Sequence, residues 1–480
     1  MVEHPARSSA AGAASPRRAG WRRLLTRPPL EPVALETYRR ERIRELLLPV
    51  AGALMEAGFV GVIADKVYAV DPFLLALITA APMFGNLSSF FWARVADGRP
   101  KMRLLTALQA AFAAGVGAIA LLPEGRVGGW LLALDVVAVR LLLGGVITVR
   151  SLVWTRNYPR AVRGRVTSRL ALTATAVMAV TSLGGSAVLD ASPASFRALY
   201  ALGAVLAALG VVAHARVRLV GEEDGRPRLA PVRPRPEATD APESTAPLEP
   251  SPPGGGMLAL LRADPLYARY LGWQFLLGVS NMMVEGPLIL LVSRELGAGY
   301  ATSVALTLVV PLLLSMLTLP IWAVYLDRVH ISEFRARHSW LWSLGQSLLF
   351  LGAHAGSLAW VAAGRVVLGV ARGGGQLAWQ LGHNDFAGPE RAAHYMGLHV
   401  TLTGLRGAFA PFVGMLLYVG WRGTEVPVVG VSLPAWDGLG SGTMALAAAL
   451  SALATLGFGA LHRRIRREGR GVPGPEGSLG

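Results

Sequence analysis

Twelve apolar segments, each near the length that crosses a lipid bilayer, dominate this sequence and leave few folds open to it. They fall near residues 46–66, 72–93, 103–122, 129–152, 170–189 and 196–216, and again near 267–292, 300–325, 339–355, 357–381, 394–419 and 441–461. A helix rises ~1.5 Å per residue, so ~20 apolar residues span a hydrocarbon core ~30 Å thick. Lipid offers no partner to a backbone N–H or C=O, which leaves helices and closed barrels as the spanning structures. Continuous segments of this length predict helices.

The charges agree. Only 16% of residues are charged, against ~25% in soluble domains, and they gather in short clusters between the apolar stretches. The net charge of +16 would suit nucleic acid if it formed a basic stripe on a polar domain. No such domain exists, and arginine-rich loops on one side of a membrane account for it; the expected surroundings are a lipid bilayer, not nucleic acid. Apart from Lys66 and Lys101 every basic residue of the Lys/Arg type is arginine, which with abundant Ala, Gly and Val points to a GC-rich bacterial genome. The chain has no cysteine, so disulfides, thiol catalysis and thiolate metal sites are excluded.

Loop charge gives the orientation. The loops after the second, fourth, sixth, eighth and tenth segments carry Arg99, Lys101 and Arg103; Arg156, Arg160, Arg163 and Arg165; a basic linker; Arg328, Arg335 and Arg337; and Arg391. The opposite loops hold few basic residues. By the positive-inside rule both termini are expected in the cytoplasm of a bacterial cell, the chain crossing the inner membrane. The expected organisation is a basic tail over 1–44, a six-helix bundle over 45–218, a flexible linker over 219–262, a second six-helix bundle over 263–465 and a tail over 466–480. The Pro-, Ala- and Arg-rich linker composition cannot bury a core. The first stretch lacks the continuous apolar region of a signal peptide, and residues 30–44 suit an amphipathic helix lying on the membrane.

The halves repeat one another. Trp92-Ala93-x-x-x-Asp97 recurs as Trp322-Ala323-x-x-x-Asp327, an offset of 230, and Glu56 and Glu285 differ by 229. Arg140-x-x-x-Gly144 before Trp154 recurs as Arg365-x-x-x-Gly369 before Trp379, an offset of 225. Common order and near-constant spacing indicate duplication. Halves related by an axis along the membrane normal are a transporter architecture, with the solute at their interface.

On these residues the sequence resembles the major facilitator superfamily from about residue 45 to 465. The family signature between helices two and three is approximately Gly-x-x-x-Asp-Arg-x-Gly-Arg-Lys; here it reads Ala93-Arg94-Val95-Ala96-Asp97-Gly98-Arg99-Pro100-Lys101. Asp97 and a basic residue four positions on are kept, while Ala93, Gly98 and Pro100 depart. The second copy keeps Leu326-Asp327-Arg328, and Asn157-Tyr158-Pro159-x-x-x-Arg163-Gly164-Arg165 is similar to the family's link between helices four and five. The resemblance implies two pseudo-symmetric six-helix bundles, an all-α membrane protein of twelve transmembrane helices, that move a small solute by alternating access as a monomer. The helix-five pattern Gly-Pro-x-x-Gly-Gly of drug exporters is reduced here to Gly184-Gly185, so export gains no support.

Six intramembrane charges are the transport and coupling candidates: Glu56, Arg140, Glu285, Arg365, Arg372 and Arg406. A charge at mid-bilayer costs ~2.5–3.5 kcal/mol on insertion scales, so each must face water or a partner. The resemblance puts Glu56, Arg140, Glu285 and Arg365 on cavity-lining helices, as two Glu–Arg pairs, one per half. A carboxylate that loses a nearby cation takes a proton more readily, which makes Glu56 or Glu285 a proton carrier; two structural ion pairs are the competing reading. Arg372 and Arg406 are left over. They suit an anionic solute, or bind carbonyls and reach toward the cytoplasm. Asp97, Arg99, Lys101, Asp327, Arg328 and Arg163 are candidates for a cytoplasmic gate, against simple topological anchors. Asn86, Gln274, Asn281, Gln376 and Gln380 are candidate cavity lining, against interhelical contacts.

Other classes fail on motif. No phosphate-cradling loop ends in Lys-Ser/Thr, and no paired-histidine spacing suits a metal, so neither cofactor nor metal is expected. An embedded transferase would have to use the patch of His383, Asp385 and Glu390, and a non-transporting sensor on the same fold would fill its cavity with bulky apolar side chains.

Overall fold

The computed structural model describes residues 30, 32–220, 222–223, 226–227, 257–387, 391–421, 424–426 and 431–468. Most of the expected linker, both tail ends and Glu390 lie outside these. Among the described residues twelve long helical segments follow in order. The first six are α1 (Pro32–Lys66), α2 (Pro72–Ala96), α3 (Lys101–Leu121), α4 (Arg126–Asn157), α5 (Arg160–Ala191) and α6 (Pro193–Ala215). The second six are α7 (Pro265–Glu295), α8 (Tyr300–Leu326), α9 (Ile331–His338 continuing as Trp340–Ala355), α10 (Leu358–Leu381), α11 (Ala392–Val419) and α12 (Gly442–Arg467). Ten of the twelve are long and apolar enough to cross a membrane on composition alone. The exceptions are α9, whose apolar part is short, and α10, whose mean hydropathy Arg365 and Arg372 depress. Two small hairpins accompany the helices: Glu222–Glu223 with Arg226–Pro227, and Thr424–Val426 with Val431–Leu433.

Two expectations shift at the chain's basic face, where α1 begins and α12 ends. The stretch before residue 45 is no surface helix: α1 starts at Pro32, and Thr37, Glu41, Arg44 and Glu45 are buried. Hydropathy marks such residues as polar because it cannot register that they pair with one another. The linker is also ordered at its ends. Glu222 Oε1 accepts the N–H of Lys101 at 2.7 Å, and Met257–Ala263 forms a short helix before α7.

Proline explains the irregularities of α7 and α8. Pro287 has no N–H to offer the carbonyl of Met283, and α7 breaks at Met283–Val284. The freed carbonyl lies against Gly414 of α11, where a Cβ would sit 1.7 Å from it. Pro311 likewise withholds a donor from the Thr307 carbonyl, and α8 widens into a π turn over Ala305–Val309. In α1 the break falls at Met55–Glu56, where Glu56 is extended.

The repeat is real, but its register in α10 is one helical turn away from the sequence match. Trp92 Nε1 donates to Leu141 O at 2.8 Å, and Trp322 Nε1 donates to Val370 O at 2.9 Å. Ser88 Oγ and Thr318 Oγ1 reach the same two carbonyls, each at 3.4 Å. These contacts relate α4 to α10 by 229 rather than 225, and pair Gly144 with Gly373: a Cβ on either would strike the facing helix, 2.2 Å from Gly85 O or 2.7 Å from Ser315 O. Residues four apart share a helix face, so a slip of four keeps the same face toward the neighbouring helix and hides in the sequence.

Candidate functional site

A cavity of about 280 Å³ lies between the halves, at the breaks in α1 and α7. Glu56 of α1, Thr79 of α2, Asn281 and Glu285 of α7, Thr307 of α8, Trp342 of α9 and Arg365 and Arg372 of α10 all line it. Four of the six charges anticipated from sequence therefore meet there.

The two halves treat their glutamates differently. Arg140 is buried behind the cavity and donates from Nη1 to Glu56 Oε1 at 3.1 Å and from Nη2 to Met55 O at 2.5 Å. The break in α1 supplies that carbonyl. The second expected pair does not form: Arg365 donates through Nε to Leu306 O at 2.7 Å and through Nη2 to Thr307 O at 2.9 Å. Those carbonyls are freed by the π turn before Pro311, and the one-turn register places Arg365 beside them. Glu285 acts on Arg365 only through space, and no hydrogen bond or ion pair engages its carboxylate among the described residues. Arg372 is exposed to the cavity and likewise has no partner among them. Counting Glu56, Glu285, Arg140, Arg365 and Arg372, the site holds two negative and three positive charges.

Arg406 lies elsewhere, buried in the second half with Nη1 on Gln274 O at 2.5 Å. Asn281 accepts from Gln346 Nε2 at 2.8 Å. Gln274 is buried away from the cavity, and Asn86, Gln376 and Gln380 are exposed without lining it. The gate candidates are not engaged as expected. Asp97, Arg99, Asp327 and Arg328 are exposed; Lys101 Nζ binds Ala96 O at 2.5 Å and Arg99 O at 3.0 Å. Arg163 binds Thr155 O at 2.8 Å and Tyr158 O at 3.2 Å, within its own half.

Closure sits at the opposite face, on residues the sequence reading passed over. Asp65 at the end of α1 meets Ser293 and Arg294 of α7. Arg294 Nη2 also donates to Val70 O at 3.0 Å, and Asp190 at the end of α5 accepts the N–H groups of Tyr300 and Ala301 that open α8. Thr307 Oγ1 donates to Gly58 O at 2.9 Å, and Phe73 packs on Phe412 with centroids 5.4 Å apart. These hydrogen bonds and the ion pair join the two halves at the cavity or on its far side. The acidic residues Asp65 and Asp190 at helix ends were the available signal.

Residues 43–411 match the sequence profile of the family described as the Major Facilitator Superfamily. Among solved structures, the fold is similar to the nucleoside transporter NupG (TM-score 0.60, 12% identity, covering 90% of this chain and 99% of that one). It is also similar to the inward-open xylose transporter XylE from E. coli (TM-score 0.56, 12% identity, 89% and 96%). A third likeness is to a POT family transporter in complex with 5-aminolevulinic acid (TM-score 0.61, 14% identity, 89% and 96%). No curated protein matches the chain in sequence.

Proposed function

The chain belongs to the major facilitator superfamily, and from that premise we propose that it is a proton-coupled secondary transporter of a small anionic solute, working by alternating access. The observation that carries this reading is the pair of unpartnered charges, Glu285 and Arg372, facing one cavity between the halves. Arg372 offers a planar fork of donors suited to a carboxylate. Glu285, which faces the same cavity without a bonded partner among the described residues, is the proton carrier. The Glu56–Arg140 pair is already satisfied and fixes the broken end of α1.

Alternating access follows as rocking of one half against the other around the cavity. The contacts of Asp65, Asp190 and Thr307 hold the far face shut. By its arginines the basic face is the cytoplasmic one, with both ends of the chain there, in a bacterial inner membrane. A non-transporting sensor would be expected to fill this space with bulky apolar side chains; here an open cavity remains and four charged side chains share its lining.

The test is a thermal-shift screen of the purified protein against small metabolites. A ligand that binds only the native state at 100 Kd stabilises it by about 2.7 kcal/mol. Hits are expected to carry a negative charge, to lose their effect in Arg372→Gln and to drive proton uptake into vesicles. A hit set made only of neutral sugars and nucleosides would overturn the assignment.

A further inference from the structure

Each half buries arginines near its basic face, and the two halves balance them differently. In the first, Arg44 and Arg150 lie among Glu41 and Glu45: Arg44 Nη1 bonds Glu45 Oε1 at 2.5 Å, and Arg150 bonds Glu45 and stands 3.6 Å from Glu41. Two guanidiniums meet two carboxylates. In the second half the positions 229 residues beyond Glu41 and Glu45, the offset that relates Glu56 to Glu285, are Tyr270 and Gln274. Neither carries negative charge at neutral pH.

The cations are nonetheless present. Arg335 at the start of α9 is 1% exposed and Arg406 on α11 is 5% exposed. Arg406 donates to Gln274 O at 2.5 Å and packs on Gly278, where a Cβ would lie 2.1 Å from its Cζ. The charge of Arg335 acts on the Tyr270 hydroxyl. Tyr270 and Gln274 are one turn apart on one face of α7, so both guanidiniums gather along the same stretch of that helix. His399, buried beside them, meets Trp379 edge-on with centroids 5.5 Å apart and feels the charges of Arg406 and Arg335.

Donors are left over around this point. Arg335 Nε and Nη2 and Arg406 Nε are buried donors without a hydrogen-bond partner; the ring nitrogens His399 Nε2 and His383 Nδ1 are equally unpartnered and donate in the matching tautomer, and Gln274 Oε1 is an orphaned acceptor. Asp385, which acts on Tyr270 through space, gives its Oδ2 to the Ile331 N–H at 2.6 Å. A buried guanidinium with no counter-charge is strongly destabilising, and two that share a pocket repel.

We propose that a small monovalent anion, chloride or a free carboxylate, binds between Arg335, Arg406 and His399 inside the second half. The site is separate from the transport cavity: Gln274 precedes Glu285 by eleven residues, roughly 16 Å along a helix. The anion does for α7, α9 and α11 what Glu41 and Glu45 do for the first half.

The experiment titrates sodium chloride or sodium acetate into the purified full-length protein, in a background of sodium isethionate at constant ionic strength, and follows Tm. A saturable rise with either salt is the expected result. Chloride alone assigns an inorganic ion and acetate alone a carboxylate. No saturable rise with either overturns the proposal. Because Arg406→Gln could simply fail to fold, the decisive variant is Gln274→Glu, which installs the missing carboxylate. It is expected to raise Tm without added anion and to weaken the response at least tenfold; an undiminished response overturns the proposal. In crystals soaked in bromide, an anomalous peak is expected between Arg335 and Arg406, and peaks only elsewhere count against it.

Discussion

Asp190, near the end of α5, accepts the backbone N–H of Tyr300 at 2.6 Å and so caps a helix that belongs to the other half of the molecule. Its second oxygen accepts the N–H of Ala301 at 2.9 Å. The first N–H groups of a helix have no partner within it, and here they are satisfied only while the far face is closed. Opening that face exposes them.

This makes Asp190 a determinant of the conformational equilibrium. Loss of an N-cap costs about 0.5–2 kcal/mol, and 1.4 kcal/mol is a factor of ten. Asp190→Ala is expected to shift the population toward the far-open state by roughly 2- to 30-fold. The chain has no cysteine, so Thr79→Cys, lining the cavity, reports opening by its labelling rate with an impermeant maleimide. An unchanged rate would remove Asp190 from the gate.

The two glutamates should separate in their effects. Glu56→Gln leaves the buried Arg140 without its counter-charge, and because Glu56 is 29% exposed the loss is expected near the low end of the range for broken pairs, about 1–3 kcal/mol. Glu285→Gln removes no bond and should leave the stability within about 0.5 kcal/mol of the parent, while abolishing flux driven by a pH gradient and sparing solute exchange. Equal destabilisation by both changes would contradict the geometry.

Glycine marks the helix crossings. Gly144→Ala and Gly373→Ala should each destabilise by about 1–3 kcal/mol through overpacking, because the added carbon meets backbone of α2 or α8. Gly184→Ala, with nothing within 4 Å of the new carbon, should not destabilise. If Gly369→Ala proved far more damaging than Gly373→Ala, the one-turn register would be wrong.

The connection between α8 and α9 carries a pH dependence. His330 caps α9, its Nδ1 accepting the N–H of Ser332 at 3.1 Å, and burial holds the imidazole below the usual histidine range, with Asp385 opposing. The folded protein therefore binds this proton less readily than the unfolded chain. The stabilisation is present above the ordinary histidine value of ~6.5 and is lost as pH falls below it. His330→Asn keeps a capping oxygen that does not titrate, so its Tm should fall less than the parent's between pH 7 and pH 5; identical profiles would count against the cap.

The sequence by itself determined the membrane fold, because the cost of placing a segment in lipid is nearly a sum over its residues and needs no knowledge of neighbours. It also placed Glu56, Glu285, Arg365 and Arg372 within apolar segments, since that follows from position along the chain. Which charge meets which was decided by tertiary structure alone. A one-turn slip of α10 preserves the apolar face, yet it carries Arg365 to the carbonyls freed by Pro311 and leaves Glu285 open to the cavity. The buried charges of α1 show the same limit from the other side: Glu41 and Glu45 read as polar residues of a tail until Arg44 and Arg150 are brought against them. Pairing is a property of two positions in space, and hydropathy is a property of one.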